Sequence, residues 1–334
     1  MSLQIIAELA QGYEGNYQQA RLLIKAASTA GADAVKFQVI YADEVATPAY
    51  KYYKLFKTLE MPDHEWKELN KYAKELNIGM HLEIFGNKSL KLAEGIGAES
   101  VKLHGTDMNN ISLLNIVSKS AVNKITLGVG GSYRSEILNA LKILKNNNVT
   151  IMFGFQGYPT PVNTNQIDRI RVFHSELAGD FDHVKIGFAD HADPNDKLSF
   201  ALPATAIGAG AQVIEKHLTL GKVMKLEDHE SALNPDEFAE FTAIMRQCYE
   251  AVGQTGEEDD FGMSKNEADY RKMIRRHVVS KHRISKGRKI TADDVVLKRS
   301  EVENPLTDIQ SVYGKIAGRE IPENNAITSN DINQ

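Results

Sequence analysis

The sequence predicts a (β/α)₈ barrel followed by a small β-rich domain. From residue 4 to about 252, eight short apolar runs alternate with amphipathic segments, the pattern of parallel βαβ units. Eight units over about 250 residues match a closed barrel better than an open, doubly wound sheet, and no Gly-x-Gly-x-x-Gly follows the first run. The predicted strands are residues 4–9, 34–39, 79–84, 100–105, 124–129, 149–154, 183–188 and 211–216.

The segments between the strands predict helices and one insertion. Gly31 ends the first predicted helix just before the second strand. Residues 41–66 form a longer connection that is rich in tyrosine, which favours an active-site lid or a subunit contact. One face of the first predicted helix is apolar and consists of Ala20, Leu23, Ile24, Ala27 and Ala30.

The periodicity divides the chain into three parts. Residues 1–252 form the predicted barrel, and residues 253–275 lose the periodicity and carry many charges, as a linker does. Residues 276–334 contain short β-like runs separated by glycine and asparagine turns. A domain of this size builds only a small core, so we expect it to dock on another surface.

Composition excludes several classes of protein. The 334-residue chain has 42% hydrophobic and 25% charged residues, and its net charge of -5 gives no basic field for nucleic acid. The single cysteine, Cys248, lies on a helical pattern and has no partner for an intramolecular disulfide. Without a membrane-length apolar run or a secretory signal, we expect a soluble cytoplasmic protein that does not bind membranes.

Two histidines stand at the ends of neighbouring predicted strands. His191 follows the seventh apolar run and His217 the eighth, and acids flank them at Asp190, Glu215 and Asp228. The carboxyl ends of barrel strands form the active-site face, so these imidazoles are predicted to bind a divalent metal. The alternative is that each histidine only forms hydrogen bonds within its loop.

Seven strings occur in order along the chain, beginning with "IIAELAQGYEGN" and "AGADAVKFQ" and ending with "GAQVIEKHLTL" and "EDHESALNPDE". Together they resemble the sialic acid (N-acetylneuraminate) synthase family. The tail from "ISKGRKITADD" to "ENNAITSNDI" is similar to the antifreeze-like domain that follows the barrel in this family. The resemblance implies condensation of phosphoenolpyruvate with an N-acyl-amino sugar, a divalent metal (Mn²⁺ first, with Mg²⁺ or Co²⁺ open), and a domain-swapped homodimer in which the tail caps a neighbouring barrel. The strings are "IIAELAQGYEGN", "AGADAVKFQ", "VKLHGTDMNN", "YPTP", "IGFADH", "GAQVIEKHLTL" and "EDHESALNPDE".

The resemblance also implies roles for individual residues. The catalytic residues it implies are Glu8, Lys36, Lys102 and Tyr158, and the metal ligands are His191 and His217. The predicted substrate-binding residues are Gln38, Thr106, Gly128, Gln156, Asp190, Glu215, Asp228 and Arg299. Simpler interpretations stay open, since Glu8 and Lys36 could form a structural ion pair and Tyr158 could pack a turn.

This chain departs from the family pattern around the phosphate. Glu83 stands where the family has a phosphate-contacting threonine, and Gly128 and Ala189 replace serines. The backbone of residues 128–132 could hold the phosphate instead, or His104 and Thr106 could contact it while Glu83 pairs with a lysine. A metal-dependent aldolase or lyase is the second hypothesis, and a catalytically silent binding subunit is the third.

Overall fold

The computed structural model describes residues 2–155, 157–177, 181, 183–253 and 259–333. It divides into two compact units, Met1–Gly253 and Gln254–Gln334. In the described part of the first unit, eight parallel strands pair in chain order, and β1 also pairs with β8, so the barrel is closed. The strands are β1 (Gln4–Ala10), β2 (Ala34–Gln38), β3 (Gly79–Ile84), β4 (Ser100–Leu103), β5 (Lys124–Gly128), β6 (Asn148–Phe153), β7 (Lys185–Asp190) and β8 (Val213–His217).

This architecture confirms the predicted barrel. Strands β7 and β8 each begin two residues later than the sequence predicted, and they end two and one residues later; each includes a buried charged residue near its carboxyl end. These two residues, Asp190 and Lys216, are neighbours in the β7–β8 register and form an ion pair with an Nζ to Oδ2 distance of 2.9 Å. The apolar pattern of β7 ends at Phe188, so the predicted strand stopped before Asp190.

Helices follow the strands and cover the outside of the barrel. They are α1 (Tyr17–Thr29), α2 (Ala42–Val45), α3 (Tyr53–Leu59), α4 (Asp63–Glu75), α5 (Asn87–Ile96), α6 (Ile111–Val117), α7 (Arg134–Ile143), α8 (Asp168–Leu177), α9 (Ala201–Gly208) and α10 (Pro235–Val252). Asn16 caps α1 by accepting a hydrogen bond from the Gln19 amide, and Gly31 follows the helix with a φ of 82°. The apolar face of α1 is buried as predicted. The insertion at 41–66 contains α2, α3 and the start of α4.

The inside of the barrel contains two kinds of side chain. Five apolar residues form a separate buried cluster, namely Ile6, Ala34, Met152, Ala189 and Val213. Further along several of the same strands, toward their carboxyl ends, the inward positions carry charges. A barrel interior is normally filled by apolar side chains. Within the described residues, no helix has both the length and the apolar character needed to cross a membrane.

The second unit contains one helix and short strands. Helix α11 (Lys265–Ile274) lies within residues 253–275, the segment that the sequence predicted to be a linker. Strands β9 (His277–Ser280) and β10 (Val295–Lys298) form one antiparallel pair, and β11 (Ile316–Ala317) and β12 (Ile332–Asn333) form another. This unit has a core of its own, made of Val278, Ile284, Ile290, Val295, Val312, Ala317, Ile321 and Ile327.

Candidate active site

Five charged side chains from five strands meet inside the barrel, and we call them the interior charge cluster. They are buried, with 1–3% of each residue exposed. In the strand register Glu8 lies beside Lys36, and Glu83 lies beside Lys102. Alternate residues of a strand share a face, so these positions project to the same side of the sheet. The cluster consists of Glu8 on β1, Lys36 on β2, Glu83 on β3, Lys102 on β4 and Glu215 on β8.

The two lysines hold the cluster together. Lys36 Nζ contacts the Glu8 carboxylate and lies 2.9 Å from Glu83 Oε2 and 3.0 Å from Glu215 Oε1. Lys102 Nζ donates to Glu215 Oε1 at 2.7 Å and lies 3.9 Å from Glu83 Oε2. Two carboxylate oxygens, Glu83 Oε1 and Glu215 Oε2, are buried with no hydrogen-bond partner among the described residues. Such unpaired acceptors are rare in folded proteins and indicate a place for a ligand.

The environment gives the carboxyl groups of Glu8 and Glu215 different protonation states. Burial raises the pKa of Glu8 to about 8, against the opposing effect of Lys36. Burial also acts to raise the pKa of Glu215, but Lys102 and Lys36 outweigh it and hold that pKa well below its usual value. Near neutral pH Glu8 is therefore mostly protonated while Glu215 is ionised. Carboxyl groups whose pKa values are driven apart in this way are typical of acid–base sites.

His191 and His217 lie side by side at the carboxyl ends of β7 and β8. Their ring centroids are 5.2 Å apart. Burial lowers the pKa of His191 to about 3, and burial followed by the effect of His191 lowers the pKa of His217 well below its usual value. Both imidazoles are therefore neutral at pH 7, the form that binds metals.

The two histidines fit a divalent metal in their donor chemistry. His217 Nε2 is buried and has no hydrogen-bond partner in the described structure, so its lone pair or proton is not used by the protein. Across the described ranges, no group of three or more His, Cys, Asp or Glu side chains is arranged to hold an ion. A metal here would have two imidazole ligands, and water or substrate oxygens would complete its coordination.

Tyr158 and Asp228 lie close to the histidines and the cluster. The Tyr158 ring packs edge-on against His191 and His217, with centroid distances of 5.4 and 5.8 Å. Burial raises the pKa of Asp228 to about 7, and Glu227 adds to the shift. Burial and then Asp228 raise the pKa of Tyr158 above its usual value, so its hydroxyl keeps its proton at neutral pH.

The structure does not place the Asp190 side chain with this group, and its substrate-binding role stays a prediction. Its carboxylate is fully buried and forms the ion pair with Lys216, and its Oδ1 accepts from the Ala192 amide at 3.0 Å. Lys216 Nζ also donates to the Ala192 carbonyl at 3.1 Å. Because side chains alternate along a strand, Asp190 and Lys216 point away from the face that carries His191 and His217.

The remaining predicted residues differ in their placement. Gln38 is partly buried at the end of β2 and accepts a hydrogen bond from Gln11 at 2.8 Å. Gly128 lies beside the cluster, since a Cβ there would be 3.3 Å from Lys102 Cε. Thr106 is exposed and contacts His104, so the structure does not bring it into the buried cluster. Two predictions stay untested: Arg299 is an exposed residue of the second unit directly after β10, and Gln156 lies outside the described residues.

Sequence reasoning missed the residues that position His191. The Thr160 amide and the Ser231 hydroxyl both donate to the His191 carbonyl, each at 2.8 Å. Lys216 and Asp190 fix the strand ends from behind. Strand alternation could have identified Lys216, because it lies between Glu215 and His217 and must face the other way. Thr160 and Ser231 come from loops; they lie in the strings "YPTP" and "EDHESALNPDE", which carried the resemblance but did not indicate this contact.

Comparison with known proteins gives two family matches. The model described as the NeuB family matches residues 23–257, which is more than two thirds of the chain. A second model, described as a chaperone for flagella basal body P-ring formation, matches residues 275–334. The boundary between the matched regions lies near the division between the two structural units.

Individual relatives match over most of their length. The chain is 30% identical to an uncharacterised protein of Methanocaldococcus jannaschii, over 88% of this chain and 84% of that protein. It is 28% identical to the N,N'-diacetyllegionaminic acid synthase of Campylobacter jejuni, over 97% and 98% of the two chains. The crystal structure of N-acetylneuraminic acid (sialic acid) synthetase from Leptospira borgpetersenii, in complex with citrate, matches with a TM-score of 0.73 and 25% identity, over 82% and 93% of the chains.

Proposed function

Because this chain belongs to the NeuB family, we propose that it condenses phosphoenolpyruvate with an N-acyl-amino sugar. The products are a nonulosonic acid and inorganic phosphate, for surface polysaccharide synthesis. The names of the legionaminic acid and sialic acid synthases among its relatives support this class of reaction. The observation that carries the proposal is the convergence of Glu8, Lys36 and Lys102 inside the barrel mouth, beside two neutral imidazoles.

In the proposed reaction, carbon 3 of phosphoenolpyruvate forms a bond to the aldehyde carbon of the open-chain sugar. Water then adds to carbon 2, and phosphate leaves from the same carbon with its bridging oxygen. Phosphoenolpyruvate carries roughly three negative charges, so buried ammonium groups are its natural counter-charges in a site that excludes water. Lys36 and Lys102 are such groups, with side chains only 2–3% exposed.

Glu8 is proposed to move protons. A carboxyl group with a pKa of about 8 can hold a proton at neutral pH and exchange it readily. In this role Glu8 donates to the sugar ring oxygen as the ring opens, or takes a proton from the water that attacks carbon 2. Tyr158 has a protonated hydroxyl and packs against both imidazoles, so it can orient a substrate hydroxyl there.

His191 and His217 are proposed to hold a divalent metal. When bound, the metal would supply Lewis-acid polarisation of the sugar carbonyl. The protein contributes the neutral state of both rings and their fixed positions, since the His191 backbone is held by Thr160 and Ser231.

The direct test is to incubate the protein with phosphoenolpyruvate, N-acetylmannosamine and Mn²⁺. Phosphate release should equal sugar consumption, and mass spectrometry should detect the nine-carbon acid. His217→Ala should abolish metal-dependent turnover, while Glu99→Gln, a charge change at an exposed ion pair with Lys124, should not alter it. Phosphate release that is absent with several N-acyl hexosamines, or unchanged in His217→Ala, would contradict the proposal.

One observation favours a second candidate, a metal-dependent aldolase or lyase acting on a keto acid. Glu83 pairs with Lys36 in the region where the phosphate should bind, and a carboxylate there opposes a phosphorylated substrate. Such an enzyme would release pyruvate from a keto acid without any phosphate. Measuring pyruvate and phosphate in the same reaction separates the two candidates.

The native metal and the oligomeric state stay predictions. Metal analysis of protein purified without added ions should find Mn²⁺ if the prediction is correct, and Mg²⁺ or Co²⁺ otherwise. Light scattering after size-exclusion chromatography tests the predicted homodimer, because a mass near 37.1 kDa would identify a monomer.

A further inference from the structure

We infer that Glu83 determines how tightly this chain binds a phosphate-bearing substrate. Its carboxylate lies beside the two lysine ammonium groups that the substrate needs as counter-charges. This inference rests on the proposed function and adds a specificity-determining residue to it. Glu83 is 1% exposed and lies on β3, between the strands that carry the two lysines.

Glu83 is placed to compete with a bound anion for the two lysines. Its Oε2 lies 2.9 Å from Lys36 Nζ and 3.9 Å from Lys102 Nζ. It therefore contacts one of the ammonium groups directly and lies near the other. A ligand anion that approaches these lysines from the β3–β4 side meets the Glu83 carboxylate first.

The charge balance makes this competition costly for a polyanion. The cluster contains two ammonium groups and three carboxyl groups, so it has no surplus of positive charge. A substrate with several negative charges gains little from lysines that are already paired, and like charges at short range repel strongly in a buried site.

The glycines next to Lys102 supply no side-chain hydroxyl that could bind phosphate. Gly128 contributes no side chain next to Lys102, and a Cβ at Gly105 would lie only 2.6 Å from the Gly130 carbonyl oxygen. These positions therefore supply no hydroxyl that could bind phosphate in place of the lysines, and Thr106 is exposed. Lys36 and Lys102 are the cations of the cluster, and Glu83 reduces their availability.

Glu83 is also the cluster carboxylate best placed to move aside. Its Oε1 is buried without a hydrogen-bond partner in the described residues, and its Oε2 is held only by the lysines. By contrast, Glu215 Oε1 accepts from both lysines at 2.7 and 3.0 Å, and Glu8 Oε1 accepts from the Ala10 amide at 2.7 Å. Binding of a phosphorylated substrate should therefore displace Glu83 from the lysines, which weakens the observed affinity.

The test is to titrate phosphoenolpyruvate, and separately inorganic phosphate, into the protein by calorimetry without acceptor sugar. Glu83→Gln keeps the size of the side chain and removes its charge, so the Kd for phosphoenolpyruvate should fall by about tenfold or more. Glu99→Gln removes the same charge from the exposed pair at the start of β4 and should leave the Kd unchanged. Where turnover is measurable, KM for phosphoenolpyruvate should fall in the same proportion.

An equal or weaker affinity in a folded Glu83→Gln variant would overturn the inference. Thermal unfolding of each variant reports whether it is folded, and Glu83→Thr provides a second uncharged variant if the first is unstable. Both variants must bind phosphoenolpyruvate more tightly than the unmodified protein. The proposed function has a separate test. It is contradicted if neither the unmodified protein nor any variant releases phosphate in the presence of an acceptor sugar, whichever of them binds phosphoenolpyruvate most tightly.

Discussion

Two sets of buried charges adjoin each other at β8, and they are organised differently: Asp190 on β7 pairs with Lys216 on β8, and the interior charge cluster includes Glu215, the residue before Lys216. Asp190 and Lys216 face away from the barrel interior, and backbone groups of Ala192 bind both side chains. The interior charge cluster lies on the opposite face of the strands. There Lys36 contacts the carboxyl groups of three glutamates, and Glu83 Oε1 and Glu215 Oε2 have no hydrogen-bond partner among the described residues. Asp190 Oδ2 also forms no hydrogen bond of standard geometry among the described residues, but it lies 2.9 Å from its cation, Lys216 Nζ.

The difference separates a structural ion pair from a binding site. A buried ion pair contributes to stability only when further hydrogen bonds complete it, which is the situation of Asp190 and Lys216. A buried cluster with unused acceptors is costly to maintain, and it persists where a ligand or reaction uses it. We therefore expect substitutions in the cluster to affect mainly turnover, and substitutions in the outer pair to affect mainly the free energy of unfolding.

The largest effect should come from removing the central ammonium group of the cluster. Lys36→Met should lower kcat/KM by about 10³-fold, because Lys36 both neutralises the substrate and contacts Glu8. Phosphate release under saturating acceptor measures this effect. The distinction between the cluster and the outer pair is wrong if Lys36→Met keeps more than a tenth of the kcat/KM while it loses most of its free energy of unfolding.

The same substitution in the outer pair should act on stability. Lys216→Met leaves the Asp190 carboxylate buried without its cation, which costs about 3–5 kcal/mol of unfolding free energy. Denaturant unfolding measures the loss, and the double variant Asp190→Asn with Lys216→Met should recover most of it. A single and a double variant of equal stability would show that the pair does not act as a unit.

Glu8 should give the cluster a pH dependence. Its folded pKa is about 8, against a usual value of 4.5. Between these values the folded state binds a proton that the unfolded chain has released, so the free energy of unfolding falls as pH rises. Glu8→Gln should remove this part of the slope between about pH 4.5 and 8. Identical slopes in the two proteins would show that Glu8 is ionised in the folded state.

The sequence predicted the barrel because hydrophobic periodicity repeats once per βα unit and depends little on distant contacts. The resemblance to the sialic acid synthase family implied Glu8, Lys36 and Lys102, and Glu215 was singled out as an acid beside His217. The structure brings these four residues together. Asp190 was predicted from its place beside His191 in the sequence, and strand alternation puts its side chain on the other face, where it pairs with Lys216.

Other features depend on contacts that no local pattern encodes. Which lysine pairs with Glu83 is decided by the closure of β2 onto β3, across 47 residues of chain. The hydrogen bonds that hold the His191 carbonyl come from the loops at Thr160 and Ser231. The core of the tail domain is built from single apolar residues in short strands and turns, which is why the sequence predicted only a weak core there.

The smallest effect should come from an ion pair that is exposed. Glu99 and Lys124 lie at the amino ends of β4 and β5, with an Oε1 to Nζ distance of 2.9 Å and side chains that are 39% and 58% exposed. Water screens such a pair, so Glu99→Gln should change the free energy of unfolding by less than about 1 kcal/mol. Denaturant unfolding of Glu99→Gln and Lys216→Met under the same conditions compares the two ion pairs. The distance between the charged atoms is 2.9 Å within each pair, so the pairs differ mainly in burial. A loss of more than about 2 kcal/mol in Glu99→Gln, beyond the usual range of exposed pairs, would mean that burial is not what distinguishes the ion pairs of this barrel.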